Sequence, residues 1–471
     1  MSEPLIIQGG MGVGVSGWLL ARVVSVTGQL GTVSGTVLDV LFARRMQDGD
    51  AGGHLRRAAK EFPIVEMAQR VVDRYLIEGG KAADEPYRAV AQYSIEPRRD
   101  LQELAIVATF CEIWLAKEGH DNPVAINYME KLRVANLPAI YGAMLAGIDY
   151  VAIGAGIPRE IPGILDSLAA GRAVTQRLDV EGAGVDDEFA IGLDPADFFE
   201  GAAPELSRPK FLAIVASTVL AMTLSKKSTG RVDGFIVEGP TAGGHNAPPR
   251  GELQLDENGE PIYGLRDQID FKKIEGLGIP FWLAGGYGHR ERIEEARALG
   301  ASGVQVGTPF ALTEESNLLP SLKEQIVEAI REGRAKVFTS PNGSPTGFPF
   351  KLACLEGTLS EPDIYAGRPR ICDLGYLRQA YKKSNGRVGW RCPAEPVDSF
   401  VSKGGSREST EGRICLCNGL IVNIGYPQSR DGGYTEPPVV TLGDDVDSVK
   451  PLIAGDRAFF SAAAVINHLL G

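Results

Sequence analysis

One histidine stands out because of the residues that precede it. His245 closes the segment Glu238-Gly-Pro-Thr-Ala-Gly-Gly-His245, which follows an apolar run typical of a buried strand. An imidazole that titrates near neutral pH can act as an acid or a base. Gly243 and Gly244 let a planar ligand approach the backbone. We predict that His245 is catalytic and lies beside such a ligand; a solvent-facing or structural histidine is the alternative.

Two consecutive strand–glycine–helix units predict a phosphate site. Phe281-Trp-Leu-Ala-Gly-Gly-Tyr-Gly288 and Gly303-Val-Gln-Val-Gly-Thr308 each begin with an apolar run and end in small residues before a helical pattern. Free backbone N–H groups at the start of a helix suit a phosphate dianion. In a (β/α)8 barrel the loops after strands seven and eight are the usual place for it. The alternative is that these glycines only form tight turns.

A further glycine-rich turn, Gly9-Gly-Met-Gly-Val-Gly14, follows the first apolar run. It partly resembles a dinucleotide-binding fingerprint, but no acidic residue stands at the end of the second predicted strand. A backbone pressed against a flat ligand explains the missing side chains better.

These residues must be held by parallel strands. Eight apolar runs separated by helical patterns predict strands at 4–8, 32–34, 123–128, 150–153, 211–216 and 234–238, and in the two units above. The fold class predicted is therefore α/β, a (β/α)8 TIM barrel with insertions and a long C-terminal extension. A doubly wound open sheet is the alternative architecture.

Residues 1–335 are predicted to form the barrel, with insertions near 36–100 and 160–209. Thr313 with Ser316 is predicted to open a helix. Residues 336–471 are predicted to pack on the barrel as a cysteine-containing extension that ends in a helix over 459–470. The rigid segment Ser344-Pro-Thr-Gly-Phe348 is predicted to return to the barrel mouth and cover the ligand.

The extension also carries a candidate metal site. Cys372, Cys392, Cys415 and Cys417 offer four thiolates to zinc or an iron–sulfur cluster. No CxxC pair occurs among them, so reduced thiols without metal are the alternative.

Composition restricts the classes of function. A net charge of −12 argues against a general nucleic-acid binder, and no run of about 18 apolar residues predicts a membrane span. Six cysteines in 471 residues do not form a disulfide scaffold, so the cytoplasm is the expected location. The composition is compatible with a homo-oligomer and does not decide the oligomeric state.

The chain resembles the nitronate monooxygenase family, also called 2-nitropropane dioxygenases, which includes FMN-dependent enoyl-acyl carrier protein reductases. The resemblance lies in six motifs that occur in the order of the family. They are Ile6-Ile-Gln-Gly-Gly-Met11, Val124-Ala-Ile-Asn127, Ala216-Ser217, Ala242-Gly-Gly-His245, Leu283-Ala-Gly-Gly286 and Gln305-Val-Gly-Thr-Pro-Phe310.

The resemblance implies a TIM barrel, FMN as the cofactor, and His245 as the catalytic histidine. The first glycine turn and Asn127 would lie near the isoalloxazine, and the phosphate would bind at Gly285, Gly286, Gly307 and Thr308. The predicted FMN-binding residues are Gln8, Gly9, Gly10, Met11, Gly12, Asn127, Ser217, Gly243, Gly244, Ala284, Gly285, Gly286, Gln305, Gly307 and Thr308.

Three functions follow from these observations. The first is oxidation of a small nitronate or nitroalkane with O2, with His245 as acid or base. The second is reduction of an enoyl thioester with NAD(P)H. The third is a phosphate-binding barrel without flavin. The neighbours of His245, from Thr241 to the segment Asn246-Ala-Pro-Pro-Arg250, are not the usual ones for either enzymatic activity.

Overall fold

Eight parallel strands form the centre of the molecule in a computed structural model that describes residues 3–454 and 459–471. They are β1 (Ile6–Gln8), β2 (Gly31–Ser34), β3 (Val124–Met129), β4 (Tyr150–Gly154), β5 (Lys210–Val215), β6 (Gly234–Glu238), β7 (Phe281–Ala284) and β8 (Gly303–Val306). Their order in the sheet is β1-β8-β7-β6-β5-β4-β3-β2. Every predicted strand is present, with ends shifted by at most two residues.

The sheet closes on itself between its first and last strands. Ile7 pairs with Leu30 in parallel, and the Gln8 amide donates to Leu30 O at 2.9 Å. Buried side chains from alternate strand positions fill the interior, and the largest of them is Trp282. The indole N–H of Trp282 donates to Pro4 O at 2.7 Å, so the polar edge of the ring is satisfied. The predicted (β/α)8 barrel is confirmed, and the open sheet is excluded.

Helices cover the outside of this barrel and the loops between its strands. In chain order they are Trp18–Val26, Leu38–Gln47, His54–Ala59, Val65–Tyr75, Arg99–Lys117, Arg133–Leu145, Ile161–Ala169, Thr218–Lys227, Phe271–Glu275, Arg290–Ala298, Thr308–Ala311, Pro320–Arg331, Pro362–Gly367, Val397–Ser402, Leu416–Val422 and Ala462–Leu470. Within residues 3–454 and 459–471, no helix is long and apolar enough to cross a membrane.

One predicted helix start is wrong. The hydroxyls of Thr313 and Ser316 donate to the carbonyls of Phe310 and Ala311 and do not cap a helix. The next helix begins at Pro320, where the fixed φ angle of proline suits the first helical turn.

Long segments extend from two barrel loops. Three helices and a coil separate β2 from the helix that leads to β3. Between β4 and β5 lies an antiparallel hairpin, Val174–Arg177 with Ala190–Leu193. Buried and exposed residues alternate along its first strand, as in a strand with one face on the core.

The part of the chain after residue 335 contains two more antiparallel hairpins. They are Val337–Ser340 with Phe350–Ala353 and Gln379–Lys382 with Val388–Arg391. The connection inside the first hairpin reaches the carboxyl ends of the barrel strands. We call residues 344–350, the end of this connection and the first residue of the second strand, the strap.

Candidate functional site

A cavity lies at the carboxyl ends of β1, β6, β7 and β8, and we call it the glycine-lined cavity. Most of the predicted cofactor residues line it together. They are Gly9, Gly10, Met11, Gly12, Gly243, Gly244, Ala284, Gly285, Gly286, Gln305, Gly307 and Thr308. Parallel strands bring these distant segments to one edge because all their carboxyl ends meet there.

Three predicted cofactor residues do not line this cavity. Gln8 is fully buried, and its amide group bonds to Ser16 Oγ (3.1 Å) and to the Thr32 N–H (2.9 Å), so it joins β1 to β2. Asn127 packs against Gly10 and donates to Ala152 O at 3.3 Å. Ser217 caps the helix Thr218–Lys227 and faces a smaller neighbouring cavity.

The glycines of the cavity fit a flat ligand with a phosphate at one end. Gly285 and Gly286 have φ angles of 93° and 76°, which L side chains rarely adopt. At Gly244 a Cβ would meet nothing within 4 Å, and at Gly307 its nearest neighbour would be Met11 Sδ at 3.7 Å. Side chains at these positions would fill the space that the ligand requires. The residues present therefore fit FMN.

One wall of this cavity comes from the C-terminal part of the chain, which sequence reasoning missed. Residues 441–443, Asp445 and Ser448 all line it. The hydroxyl of Thr441 accepts from the Gly244 N–H at 2.8 Å, and the Gly443 N–H donates to Thr308 Oγ1 at 3.0 Å. Residues 441–448 show no helical or strand periodicity. Their turn-rich composition indicates a loop, but it does not indicate that the loop reaches the cavity.

The strap holds His245. The imidazole Nε2 of His245 lies 2.7 Å from Ser344 Oγ. The His245 ring packs edge-on against the ring of Phe350, with 4.9 Å between the two centroids. The Lys351 N–H donates to Gly244 O, so the backbones also pair. Ser344 thus returns to the barrel mouth, as predicted. His245 itself does not line the glycine-lined cavity, although Gly243 and Gly244 do.

His245 is neutral at ordinary pH. Burial and, to a smaller extent, the charge of Lys131 lower the pKa of its imidazole to about 3. The prediction that this group titrates near neutral pH is therefore wrong. A neutral imidazole can still accept a hydrogen bond or a proton. It carries no second proton at neutral pH, so it cannot act as a general acid from the imidazolium form.

Glu238 is a second titratable group that the sequence analysis did not select. It ends β6 and lines both the glycine-lined cavity and the smaller cavity that Ser217 faces. Burial raises the pKa of its carboxyl to about 7. A carboxyl that exchanges its proton near neutral pH beside a ligand cavity is a candidate functional group. Its position at the carboxyl end of a barrel strand was the available signal.

We expect Glu238→Gln to stabilise the protein at alkaline pH. The folded state holds the Glu238 proton up to a pKa of about 7, against 4.5 ordinarily, so this contribution to stability is complete below about pH 4.5 and is lost as the pH rises through 7. Glutamine mimics the neutral carboxyl at every pH. We expect Tm to rise by roughly 2–4 °C at about pH 8 and to stay unchanged at about pH 4.

Thermal melts of both proteins across this pH range test the expectation. Exposed Glu252→Gln removes the same charge and serves as the matched control. Equal changes in Tm for the two variants would show that Glu238 has no special environment.

The structure does not support the candidate metal site. All six cysteines are free, and burial raises the pKa of the Cys372, Cys392, Cys415 and Cys417 thiols. Within residues 3–454 and 459–471, no three His, Cys, Asp or Glu side chains are grouped to share a metal ion.

Comparison with known proteins relates these features to a family. Residues 203–346, which contain β5 to β8, His245 and the start of the strap, match the family model described as nitronate monooxygenase. The probable nitronate monooxygenase of Bacillus subtilis (strain 168) is 32% identical over 155 residues, which are 33% of this chain and 41% of that protein.

A second relative is (3aS,4S,5R,7aS)-5-hydroxy-7a-methyl-1-oxo-octahydro-1H-indene-4-carboxyl-CoA dehydrogenase of Rhodococcus jostii (strain RHA1). It is 31% identical over 247 residues, which are 52% of this chain and 63% of that enzyme. The chain thus spans less than two thirds of the length of either relative. The solved structure of FabK from Thermotoga maritima is 18% identical, with a TM-score of 0.48 over 100% of this chain and 92% of FabK. The family model and the relative from Bacillus subtilis confirm that the chain resembles the nitronate monooxygenase family.

Proposed function

We propose that this protein is an FMN-dependent oxidoreductase that oxidises a nitronate-like anion with O2. The observation that carries the proposal is the glycine-lined cavity, where the turn after β1 faces the ends of β7 and β8. FMN would lie along these glycines, with its phosphate at Gly285, Gly286, Gly307 and Thr308. The free state of the cysteines fits the cytoplasmic location expected from the sequence.

Bound FMN supplies the electron transfer, and the protein supplies binding and proton handling. Neutral His245 accepts a proton or hydrogen bond, and Ser344 connects it to Thr346, since the two hydroxyls lie 2.8 Å apart. Lys131 provides positive charge near His245, which favours an anionic substrate. Glu238 exchanges a proton near neutral pH on the side of the glycine-lined cavity.

A second candidate is redox chemistry on a thioester, such as reduction of an enoyl thioester with NAD(P)H. Two observations favour it. The relative from Rhodococcus jostii is named for a carboxyl-CoA substrate. In addition, a cavity of about 850 Å³ adjoins the strap, which is far more space than a small nitronate occupies.

An absorbance spectrum and an anaerobic titration test the proposal. We expect the purified protein to show the visible absorbance of a flavin, which a nitronate bleaches anaerobically and air restores. Bleaching by NADH or NADPH, followed by reoxidation with an enoyl thioester, would instead establish the second candidate. A colourless protein that gains no colour with added FMN would overturn both and leave a flavin-free phosphate-binding barrel.

A further inference from the structure

A large cavity beside the strap shares no lining residue with the glycine-lined cavity. It encloses about 850 Å³, within the range of roughly 300–1,000 Å³ that small-molecule sites occupy. Its walls come from the loop after β3 and from residues 178–181, which follow the first strand of the hairpin between β4 and β5. Strap residues 345–347 and residues between 376 and 413 complete them. We call it the arginine-lined cavity, because five cationic side chains but only three carboxylates line it.

The three carboxylates are already paired with two of these cations. Arg133 contacts Glu130 at 3.0 Å and Asp179 at 2.9 Å. Arg391 contacts Glu181 at 2.7 Å. All three carboxylates are therefore engaged by these two cations, and five cations against three carboxylates give the wall a net charge of +2.

The other three cations are Lys131, Arg378 and Arg413. In the part of the chain that the structure describes, no carboxylate lies within 4.0 Å of their charged nitrogens. Each of them donates to a backbone carbonyl instead. Lys131 donates to Thr346 O at 3.0 Å, Arg378 to Gly375 O at 2.8 Å and Arg413 to Ser344 O at 2.7 Å. Partly buried cations without a counter-ion cost free energy, so the cavity favours an anion.

The same cavity also offers apolar surface. Leu178, Trp390 and Phe400 line it, and the Arg378 guanidinium lies 5.3 Å from the centroid of the Trp390 ring. A fully hydrophilic anion would leave this surface in contact with water, whereas an anion with an apolar body would cover it.

A chain of hydroxyls connects this cavity to His245. Thr346 lines the cavity, its Oγ1 lies 2.8 Å from Ser344 Oγ, and Ser344 Oγ lies 2.7 Å from His245 Nε2. Lys131 stands at the same place, since its ammonium lies 3.3 Å from the centroid of the Phe348 ring in the strap. A ligand in the cavity is thus separated from His245, the candidate catalytic residue, only by the side chains of the strap.

We infer that the arginine-lined cavity binds an amphipathic anion, which has an apolar body and ends in a carboxylate or phosphate group. Lys131 and Arg378 contact the anionic group, and the aromatic wall contacts the body. The identification of this ligand as the substrate of the enzyme rests on the proposed function; the binding site itself does not.

Calorimetric titration of the flavin-loaded protein tests this inference with three probes, namely decanoate, decyl phosphate and decanol. We expect both anions to bind and decanol to bind at least about tenfold more weakly. We expect Lys131→Met and Arg378→Met each to weaken anion binding by about tenfold without changing that of decanol. Exposed Lys226→Met removes one positive charge elsewhere and should bind as the unchanged protein does.

Each outcome decides a point. Tighter binding of decyl phosphate than of decanoate identifies the anionic group as a phosphate, and the reverse order identifies a carboxylate. Equal affinity for decanol and the anions, or no binding of either anion, overturns the inference. Added salt should weaken anion binding to the unchanged protein, which keeps the test valid if a variant fails to fold. Anion binding by a protein that takes up no flavin would overturn the proposed function alone.

Discussion

Replacing His245 by alanine is expected to lower kcat/KM by a factor of about 10² to 10⁴ while FMN stays bound. The loss follows because the barrel mouth loses the neutral imidazole, a hydrogen-bond and proton acceptor that the strap orients through Ser344. The cofactor stays because His245 does not line the glycine-lined cavity. Steady-state turnover and the flavin-to-protein absorbance ratio, measured on one preparation, separate the two effects.

The pH profile adds an independent measurement. Because the pKa of His245 is about 3, its imidazole stays neutral from pH 8 down to about pH 5, and protonation of His245 should cause no loss of rate there. His120→Ala is the matched control, since this histidine precedes β3 at the opposite, amino end of the strands. A rate loss near pH 6.5 that disappears in His245→Ala would contradict the buried environment described here.

Replacing Gly307 by valine is expected to weaken FMN binding by about tenfold or more without unfolding the barrel. Gly307 has a φ angle of −118°, outside the left-handed region that favours glycine, so its backbone does not require glycine. Its Cβ would make an ordinary contact with Met11, and the valine methyl groups would extend into the glycine-lined cavity. Fluorescence titration of the apoprotein with FMN gives the affinity, and circular dichroism reports the fold.

Gly264→Val is the control for this substitution. Gly264 also has a negative φ angle of −110°, it is exposed, and a Cβ there would meet nothing within 4 Å. FMN affinity should therefore be unchanged. Normal affinity in both variants would place the cofactor somewhere other than the glycine-lined cavity.

The barrel was predictable because its signals are local. An apolar run that ends in small residues marks each strand, so β6 was predicted with the ends that the structure has. Parallel packing then brings the segment before His245, the ends of β7 and β8 and the turn after β1 to one edge. The glycines on these loops were therefore expected to lie at one site, whereas the full set of predicted cofactor residues came from the resemblance to the family.

The remaining features depend on contacts between distant residues. The amide of Gln8 is held by Ser16 and Thr32, which no motif indicates. The pKa of His245 depends on burial and on Lys131, and the Gly443 contact to Thr308 spans 135 residues. Such contacts carry no periodicity, so sequence patterns could not predict them.

The late position of the strap and of residues 441–443 in the chain sets an order of assembly. Synthesis delivers all eight barrel strands before either of these segments, and folding of a growing chain proceeds from its N-terminus. The cradle for the cofactor is therefore present early, but its last wall arrives only when residues 441–443 emerge. Ribosome-bound chains stalled before this point should hold FMN more weakly than chains stalled after residue 448, which makes cofactor capture a late step in the maturation of the enzyme.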